Sequence, residues 1–472
     1  MARKSILMLF GIVILGLLLR IYRITTLPMY GDELTIALDT YSIMKTGMDS
    51  TGTKLPVTFQ MGSGRPGGYI YASVPFVYLF GPTEWGVRSL SLLSSVGIII
   101  LMYFLGKKFF NDNVGLIAGF ITSISLWDIY LARGGFEAHF ALFLALFGTV
   151  LYLYGKYIPW AISWGLAIFT YPTFKLTLPF MFLILVWYGG IKNVFKNKFF
   201  VSALIILVLF GCLAVRETLR GVSEERFLNI NIFSDTNLRE RIIQLNNEER
   251  TFSTLPISLK PIFYNKPFEY SRVILENYME NLSPRFLYLR GDGNPRHNPG
   301  EWGMFYLVEL PLIFMGIASL WKKEMKTLIL LISWILITPL ATMFINDAHG
   351  LRNALMLPPF ILLTSYALSN LSRKLAYFFV AIILIQSVFV LQRVYFLAPG
   401  KFASFWSSEA KMASLSAINN KDSGKVITLS TKKIDNIEYA YEVYAKVDPD
   451  LVIGQYGTFP KVYGNVIIDN AK

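Results

Sequence analysis

The chain has 472 residues, of which 54% are hydrophobic, 15% aromatic and only 16% charged. A soluble domain carries about a quarter charged residues, so this composition excludes an ordinary soluble protein and indicates one embedded in a lipid bilayer. The net charge of +13 arises from 44 Lys and Arg against 31 Asp and Glu. In a membrane protein this excess mainly reflects topology, so nucleic acid is not expected as a partner. The single cysteine, Cys212, excludes an intrachain disulfide.

Apolar stretches recur along the chain at the length that crosses a bilayer, about 20 residues. They predict an all-α polytopic membrane protein with about eleven transmembrane helices. The first stretch is interpreted as a retained signal anchor, because no convincing small-residue cleavage site follows it. The spans are expected near residues 5–20, 86–105, 114–131, 138–154, 158–171, 174–190, 199–215, 303–321, 327–345, 351–369 and 374–391.

Lys and Arg concentrate in alternate short loops between these spans. Such residues normally stay on the cytoplasmic side, so the N-terminus is predicted to lie in the cytoplasm. An odd number of spans then places the C-terminus outside, with the protein in the cytoplasmic membrane. The basic positions are Arg3, Lys4, Lys107, Lys108, Lys156, Lys192, Lys196, Lys198, Lys322, Lys323, Lys326, Arg373 and Lys374.

The long loops all fall on the predicted outer face, and loops of this length are usually functional or disordered. The first covers about residues 21–85 and the second about 216–302, both within a membrane domain at 1–391. The tail, 392–472, is predicted to form a small extracytoplasmic α/β domain. Its strands are expected at 425–430 and 466–468, and its helices near 407–418 and 436–446.

Two adjacent carboxylates, Asp32 and Glu33, follow the first span directly. An acidic pair at a membrane face is costly beside lipid unless it binds or reacts with something. A carboxylate held near the lipid headgroups can act as a general base toward an acceptor hydroxyl. The alternative is that Asp32 caps the helix predicted to begin at Leu34, since Asp is a favoured N-cap residue.

Two further acids accompany that pair. Glu137, in the loop after the third span, could join Asp32 across a site, or it could be a solvated loop acid paired with Arg133. Asp128 lies near the end of the third span, where an ionisable group is expected to face a cavity.

Basic and aromatic residues on the same face are candidates for contacts with a substrate. Lys175 follows Tyr171 at the start of the sixth span, where it could bind a phosphate or extend its amine to the membrane surface. Tyr69 lies in a Gly- and Pro-rich part of the first loop, in an aromatic-lined segment or in the aromatic belt of a membrane protein.

The segment 285–298 has the highest density of candidates. Its glycines allow the backbone to approach a ligand, and arginine recognises phosphate through parallel hydrogen bonds. Asp292, Arg296 and His297 lie within it, and Arg352 flanks a later turn on the same face beside His349. Arg296, His297 and Arg352 join Lys175 as candidate phosphate ligands.

Motifs for soluble nucleotides and dinucleotides are absent, as are HExxH and CxxC. No certain cofactor is indicated. A divalent metal ion is conceivable with Asp32, Glu33 and His297 as ligands, but no specific ligand spacing supports it.

The order of these motifs resembles a known family. The elements are Gly31-Asp32-Glu33, then Tyr69-Ile70-Tyr71, then Trp127 to Glu137, and the RFLYLRGDGNPRHNPG segment at 285–300. Together they resemble the GT-C membrane glycosyltransferases of the protein O-mannosyltransferase and aminoarabinose transferase class, especially the ArnT-like and RgtA/B/C/D-like branch. The resemblance implies that Asp32 is the catalytic base, with Glu33 beside it. It also implies a donor sugar on a polyprenyl phosphate, held by basic residues of the outer face.

The sequence thus predicts an inverting glycosyltransferase that uses a polyprenyl-phosphate sugar at the extracytoplasmic face. Sugar and acceptor stay open, with protein, lipid and polysaccharide as the alternatives for the acceptor. A polytopic transporter would also account for the spans, but it predicts inverted repeats around a site in mid-membrane. A non-catalytic lipid-binding protein would account for the outer loops, but not for Asp32 and Glu33 at the headgroup level.

Overall fold

The computed structural model describes residues 3–221, 231–345, 347–422 and 424–470. Residues 222–230, which belong to the predicted second outer loop, lie outside the described part. In the first half of the chain, up to residue 221, the elements are α1 (Arg3–Ile21), α2 (Gly31–Thr46), β1 (Thr58–Phe59), α3 (Met61–Gly64), β2 (Arg65–Pro66), α4 (Gly68–Phe80), α5 (Glu84–Phe109), α6 (Asp112–Ile124), α7 (Leu126–Ala132), α8 (Glu137–Leu153), α9 (Tyr157–Ile168), α10 (Phe174–Gly189), α11 (Ile191–Phe195) and α12 (Lys198–Leu219).

The second half continues the helical architecture and ends in a small sheet. Its helices are Thr236–Phe252, Lys260–Phe263, Lys266–Glu280, Glu309–Lys323, Met325–Ile337, Leu357–Asn370, Arg373–Gln392, Ala398–Lys401, Ser408–Asn419, Ile437–Tyr444 and Pro449–Gly454. Short π-helical turns lie at Arg285–Leu289 and Arg393–Leu397. Short 3-10 turns lie at Thr338–Ala341, Ala354–Met356 and Ala403–Trp406. The strands are β3 (Ile427–Ser430), β4 (Lys461–Tyr463) and β5 (Val466–Asp469).

Within the described residues, four helices are long and apolar enough to cross a membrane: α1, α5, α12 and the helix Arg373–Lys401. Helices α6 and α7 reach this length and hydropathy only when taken together, and they meet at a bend of 56°, as in a broken span or a re-entrant loop. The other apolar helices have 10–17 residues, so at 1.5 Å per residue they are shorter than a bilayer core. Each predicted span overlaps at least one helix, but 114–131 is divided between α6 and α7, and the helix within 303–321 begins only at Glu309. The number eleven stays a prediction.

Helix α2 begins where the acidic pair lies, and its first turn decides which acid does what. The N-cap is Tyr30, so the alternative in which Asp32 caps this helix is wrong. Glu33 supplies the capping contact, because its Oε2 accepts a hydrogen bond from the Tyr30 backbone N–H at 3.3 Å. Asp32 lies in the first turn, where a carboxylate interacts favourably with the helix dipole.

Two hydrophobic cores divide the molecule. One lies among the apolar helices, and the other joins α2, α4 and the start of α5 to the C-terminal segment. In that segment β3 pairs parallel with β5, and β4 pairs antiparallel with β5. Strands β3 and β5 and both helices lie where the sequence placed them, whereas β4 was not predicted. The second core holds this segment over the start of α2.

Candidate active site

Glu33 is the centre of a buried ion pair beneath the loops. Its two carboxylate oxygens accept hydrogen bonds from Nε and Nη2 of Arg88, each at 2.7 Å, and both side chains are fully buried. The Gly135 backbone N–H donates to Oε1 of the same carboxylate at 2.7 Å. Arg88 also donates to the carbonyl oxygens of residues 24, 27 and 28. Glu33 therefore joins three chain segments that would otherwise be separate loops.

Asp32 points the other way, and 40% of its side chain is exposed. Its Oδ1 accepts a hydrogen bond from Nη2 of Arg65 at 2.9 Å. Arg65 is buried, and its Nε lies 2.6 Å from Oε1 of Glu137, while Nη1 donates to Thr35 Oγ1 at 2.8 Å. One guanidinium thus joins Asp32 to Glu137, which replaces the alternative pairing of Glu137 with Arg133.

The backbone around Arg65 is shaped for this contact. Strands β1 and β2 form a two-residue antiparallel ladder on either side of a tight turn. Gly62 in that turn has φ +76, and a Cβ there would lie 2.8 Å from Nη2 of Arg65. Glycine at 62 is therefore required both by the backbone and by the arginine that it faces.

Aromatic packing brings a third segment to the same place. The guanidinium of Arg296 lies 5.0 Å from the ring centroid of Tyr30, and its Nε donates to the Phe405 carbonyl at 2.8 Å. Phe136 lies 5.8 Å from Tyr30 and 5.7 Å from the ring of His297. The start of α2, the loop before α8 and the segment 294–298 therefore meet around one tyrosine. We use the name loop face for the surface that these three segments form together with the first loop, 21–85, and the C-terminal segment, 392–472.

Asp292 organises the segment that carries Arg296. Its Oδ2 lies 2.9 Å from Nδ1 of His297 and accepts the Gly350 backbone N–H at 2.6 Å. Oδ1 accepts the Asn294 backbone N–H at 2.8 Å. Burial alone would raise the pKa of Asp292, but His349 and His297 outweigh it and hold that pKa below its usual range.

Three other predicted site residues are buried and make their contacts within the protein. Asp128 does not face a cavity: it is buried against Arg20, 2.6 Å away, and the ring of His139, 2.9 Å away, because a buried carboxylate needs such partners. Arg133 donates to backbone carbonyls after α1, including that of residue 23 at 3.0 Å. The hydroxyl of Tyr69 is bonded to the Val87 carbonyl at 2.8 Å, so this tyrosine is interior and not part of an aromatic belt.

Lys175 lies in a groove of about 510 Å³ between α9, α10 and α12, whose other lining residues are almost all apolar. Tyr171 is buried just before it and packs near Phe174, with ring centroids 6.4 Å apart. The backbone N–H of Gly68 donates to the Phe169 carbonyl at 2.9 Å. The chain that carries Arg65 therefore contacts the turn that leads to Lys175. Arg352 is partly exposed on the loop that follows Gly350.

Sequence reasoning missed Arg65 and Arg88, which hold the acidic cluster together. Arg88 had a detectable signal, since an arginine one turn inside a long apolar helix needs a buried partner. Arg65 lies in a Gly- and Pro-rich loop that gives no periodic signal.

Residues 66–215 match the family model described as dolichyl-phosphate-mannose-protein mannosyltransferase. No curated relative matches the chain by sequence.

Among solved structures, the chain is similar to ArnT from Cupriavidus metallidurans bound to undecaprenyl phosphate. The TM-score is 0.51 and the identity 12%, over 94% of this chain and 85% of ArnT. It is also similar to the oligosaccharyltransferase of Archaeoglobus fulgidus tethered with an acceptor peptide, with a TM-score of 0.51 and 14% identity over 94% of this chain. The chain spans only 59% of that archaeal enzyme.

The chain therefore shares the fold of ArnT and of the archaeal oligosaccharyltransferase. The resemblance to the protein O-mannosyltransferase and ArnT-like class that the motifs indicated is confirmed by the family-model match over residues 66–215 and by this shared fold.

Proposed function

We propose that this protein is an inverting membrane glycosyltransferase that moves a sugar from a polyprenyl phosphate to an acceptor hydroxyl, with Asp32 as general base. Asp32 would take the hydroxyl proton while the acceptor oxygen attacks the anomeric carbon, and the bond from that carbon to the lipid phosphate would break. The observation that carries the proposal is the difference in exposure among the three acids: the Asp32 side chain is 40% exposed, while Glu33 and Glu137 are buried. Only Asp32 of these three can meet an acceptor without a rearrangement.

The buried groups would then position the base. Arg65 holds one oxygen of Asp32 at 2.9 Å and is itself held by Glu137, so the carboxylate has a defined direction. Glu33 with Arg88 would fix the start of α2, on which Asp32 lies. A base within hydrogen-bond reach of its proton contributes most when its position is fixed before the substrate arrives.

The donor would occupy the groove beside Lys175. Its apolar lining suits a polyprenyl chain, and Lys175 offers a positive charge for the phosphate as charge develops on it. Arg296, which stacks on Tyr30 at the start of α2, and Arg352 are further candidates for that phosphate. ArnT was solved with undecaprenyl phosphate, a lipid of this chemical class. The acceptor stays open among protein, lipid and polysaccharide.

We further propose the topology that the basic loops predict. All eleven predicted spans would cross or enter the membrane, the shorter ones packed inside the helix bundle. The N-terminus would be cytoplasmic, while the loop face and the C-terminal segment would lie outside the cytoplasmic membrane.

The test is a transfer assay with purified protein and a panel of synthetic polyprenyl-phosphate sugars. We expect one donor to be consumed and the sugar to appear on an acceptor. The NMR spectrum of the product should show that the anomeric configuration is inverted relative to the donor. Retention of configuration would contradict the direct displacement. Donor binding without consumption across the panel and across peptide, lipid and glycan acceptors would favour the lipid-binding alternative, and passage of intact donor across vesicles would favour a transporter.

A further inference from the structure

A cluster of one carboxylate and two imidazoles lies behind the loop that carries Arg296. Asp292, His297 and His349 each offer one ligand atom, and these atoms lie within 4.8 Å of one another. The chain contains only three histidines in all, and two of them meet at this carboxylate. The third, His139, contacts Asp128 instead.

Only one of the two histidines is within hydrogen-bond distance of the carboxylate: Nδ1 of His297 lies 2.9 Å from Oδ2 of Asp292. Nδ1 of His349 lies 3.7 Å from Oδ2 of Asp292, which is too long for a hydrogen bond. Ligand atoms bound tetrahedrally to zinc at about 2.0–2.1 Å lie about 3.3 Å apart, so small movements would suffice to close this set on an ion. The two histidine rings already lie with centroids 4.5 Å apart.

The surroundings orient the carboxylate. Backbone N–H groups of Asn294 and Gly350 donate to its two oxygens at 2.8 and 2.6 Å, which are contacts of the kind that hold a ligating carboxylate in place. Gly350 also ties the loop before Arg352 to the segment 292–298. The cluster therefore joins two loops that are distant in sequence.

A cavity of about 800 Å³ opens beside the cluster, and both Asp292 and His349 line it. Water in this cavity could complete the coordination of an ion that has three protein ligands. Two imidazoles and one carboxylate form a donor set that suits Zn²⁺ and similar transition metals, whereas Mg²⁺ and Ca²⁺ prefer oxygen ligands alone.

We propose that Asp292, His297 and His349 bind one divalent transition-metal ion of the zinc class. The ion fastens the segment 292–298 to the loop at 349–350. Because Arg296 precedes His297 and stacks on Tyr30, the ion also fixes the position of that guanidinium over the Tyr30 ring, at the start of α2. The metal site does not depend on the proposed glycosyl transfer and can be tested without it.

The test measures metal directly. Protein purified in detergent with a tag free of histidine is treated with a chelator, dialysed, and titrated with Zn²⁺ or Mg²⁺. We expect about one Zn²⁺ per chain by elemental analysis, X-ray absorption typical of nitrogen and oxygen ligands only, and a higher midpoint of thermal unfolding with Zn²⁺ but not with Mg²⁺.

Variants assign the site. His349→Ala should weaken zinc binding by more than the about 10–100-fold loss that follows removal of an outer partner of a metal ligand. His139→Gln, at the third histidine, should keep the wild-type stoichiometry. Wild-type protein that binds no Zn²⁺, or a His349→Ala protein that binds as tightly as wild type, would overturn the proposal and leave Asp292 and His297 as a hydrogen-bonded pair. If His349→Ala does not fold, the titration of the wild-type protein decides.

Discussion

Arg65 Nη2 donates a hydrogen bond to Asp32 Oδ1 at 2.9 Å across 33 positions of sequence. Nε of the same guanidinium lies 2.6 Å from Oε1 of Glu137. The two acids neutralise the buried arginine, so it can orient the exposed acid without leaving an unpaired charge in the interior.

Arg65→Lys should reduce turnover by about 10²-fold, because a compact ammonium cannot reach Asp32, Thr35 and Glu137 together as a planar guanidinium does. The midpoint of thermal unfolding should change only slightly, so that the main effect is on turnover. The measurement is the transfer rate at saturating donor and acceptor. The matched control is Arg272→Lys, at an exposed arginine paired with Glu269, which should keep wild-type turnover. An Arg65→Lys protein with full activity would remove Arg65 from the positioning of the base.

Glu33→Gln should destabilise the protein more than it slows chemistry. It leaves Arg88 as a buried charge without its ion-pair partner, and such a change costs about 3–5 kcal/mol. We expect a lower midpoint of thermal unfolding in detergent and a lower yield.

The control for that variant is Glu217→Gln, which breaks the pair with Arg220, whose side chain is 55% exposed. Surface pairs contribute about 0–1 kcal/mol, so its midpoint should stay close to that of the wild-type protein. A Glu33→Gln protein with wild-type stability and abolished turnover would instead give Glu33 the catalytic role.

Lys175→Ala should weaken binding of the polyprenyl-phosphate donor, since charge-assisted contacts to phosphate are strong. Maximal turnover at saturating donor should fall as well, because Lys175 would also stabilise the charge that develops on the leaving phosphate. Binding of a polyprenyl phosphate to purified protein measures the effect, with Lys196→Ala, an exposed lysine in the loop between α11 and α12, as control. Equal donor affinity in Lys175→Ala and wild-type protein would exclude the groove as the donor site.

The proposed topology is tested by labelling single cysteines in intact cells. In a Cys212→Ala background, Ser234→Cys should react with an impermeant thiol reagent from outside, and Lys196→Cys should react only after the membrane is opened. Both positions are exposed, so accessibility within the fold is matched. The reverse pattern would place the predicted second outer loop in the cytoplasm and contradict the proposed orientation.

Much of the helical architecture could be predicted from the apolar stretches, because each of them overlaps a helix, and strands β3 and β5 overlap the β-branched segments that predicted them. The roles of adjacent residues could not. Successive residues of a helix point about 100° apart, so only the position of α2 decides that Asp32 meets solvent and Glu33 meets Arg88.

Contacts between segments that are distant in sequence could not be predicted either. The pairing of Arg65 with Asp32 depends on a turn through Gly62, and the pairing of Asp128 with Arg20 depends on how α1 packs against α6 and α7. A sequence pattern can identify a charged residue as costly in the interior, but it cannot name the partner that makes burial tolerable.

The central claim is that Asp32 accepts the proton of the acceptor hydroxyl. Asp32→Asn keeps the shape of the side chain and a carbonyl oxygen for Arg65, but it removes the ability to take a proton. The most direct measurement is the single-turnover rate of sugar transfer by this variant with donor binding measured in parallel. The account predicts a rate about 10²–10⁴-fold below wild type with donor affinity unchanged. A rate close to wild type would contradict it.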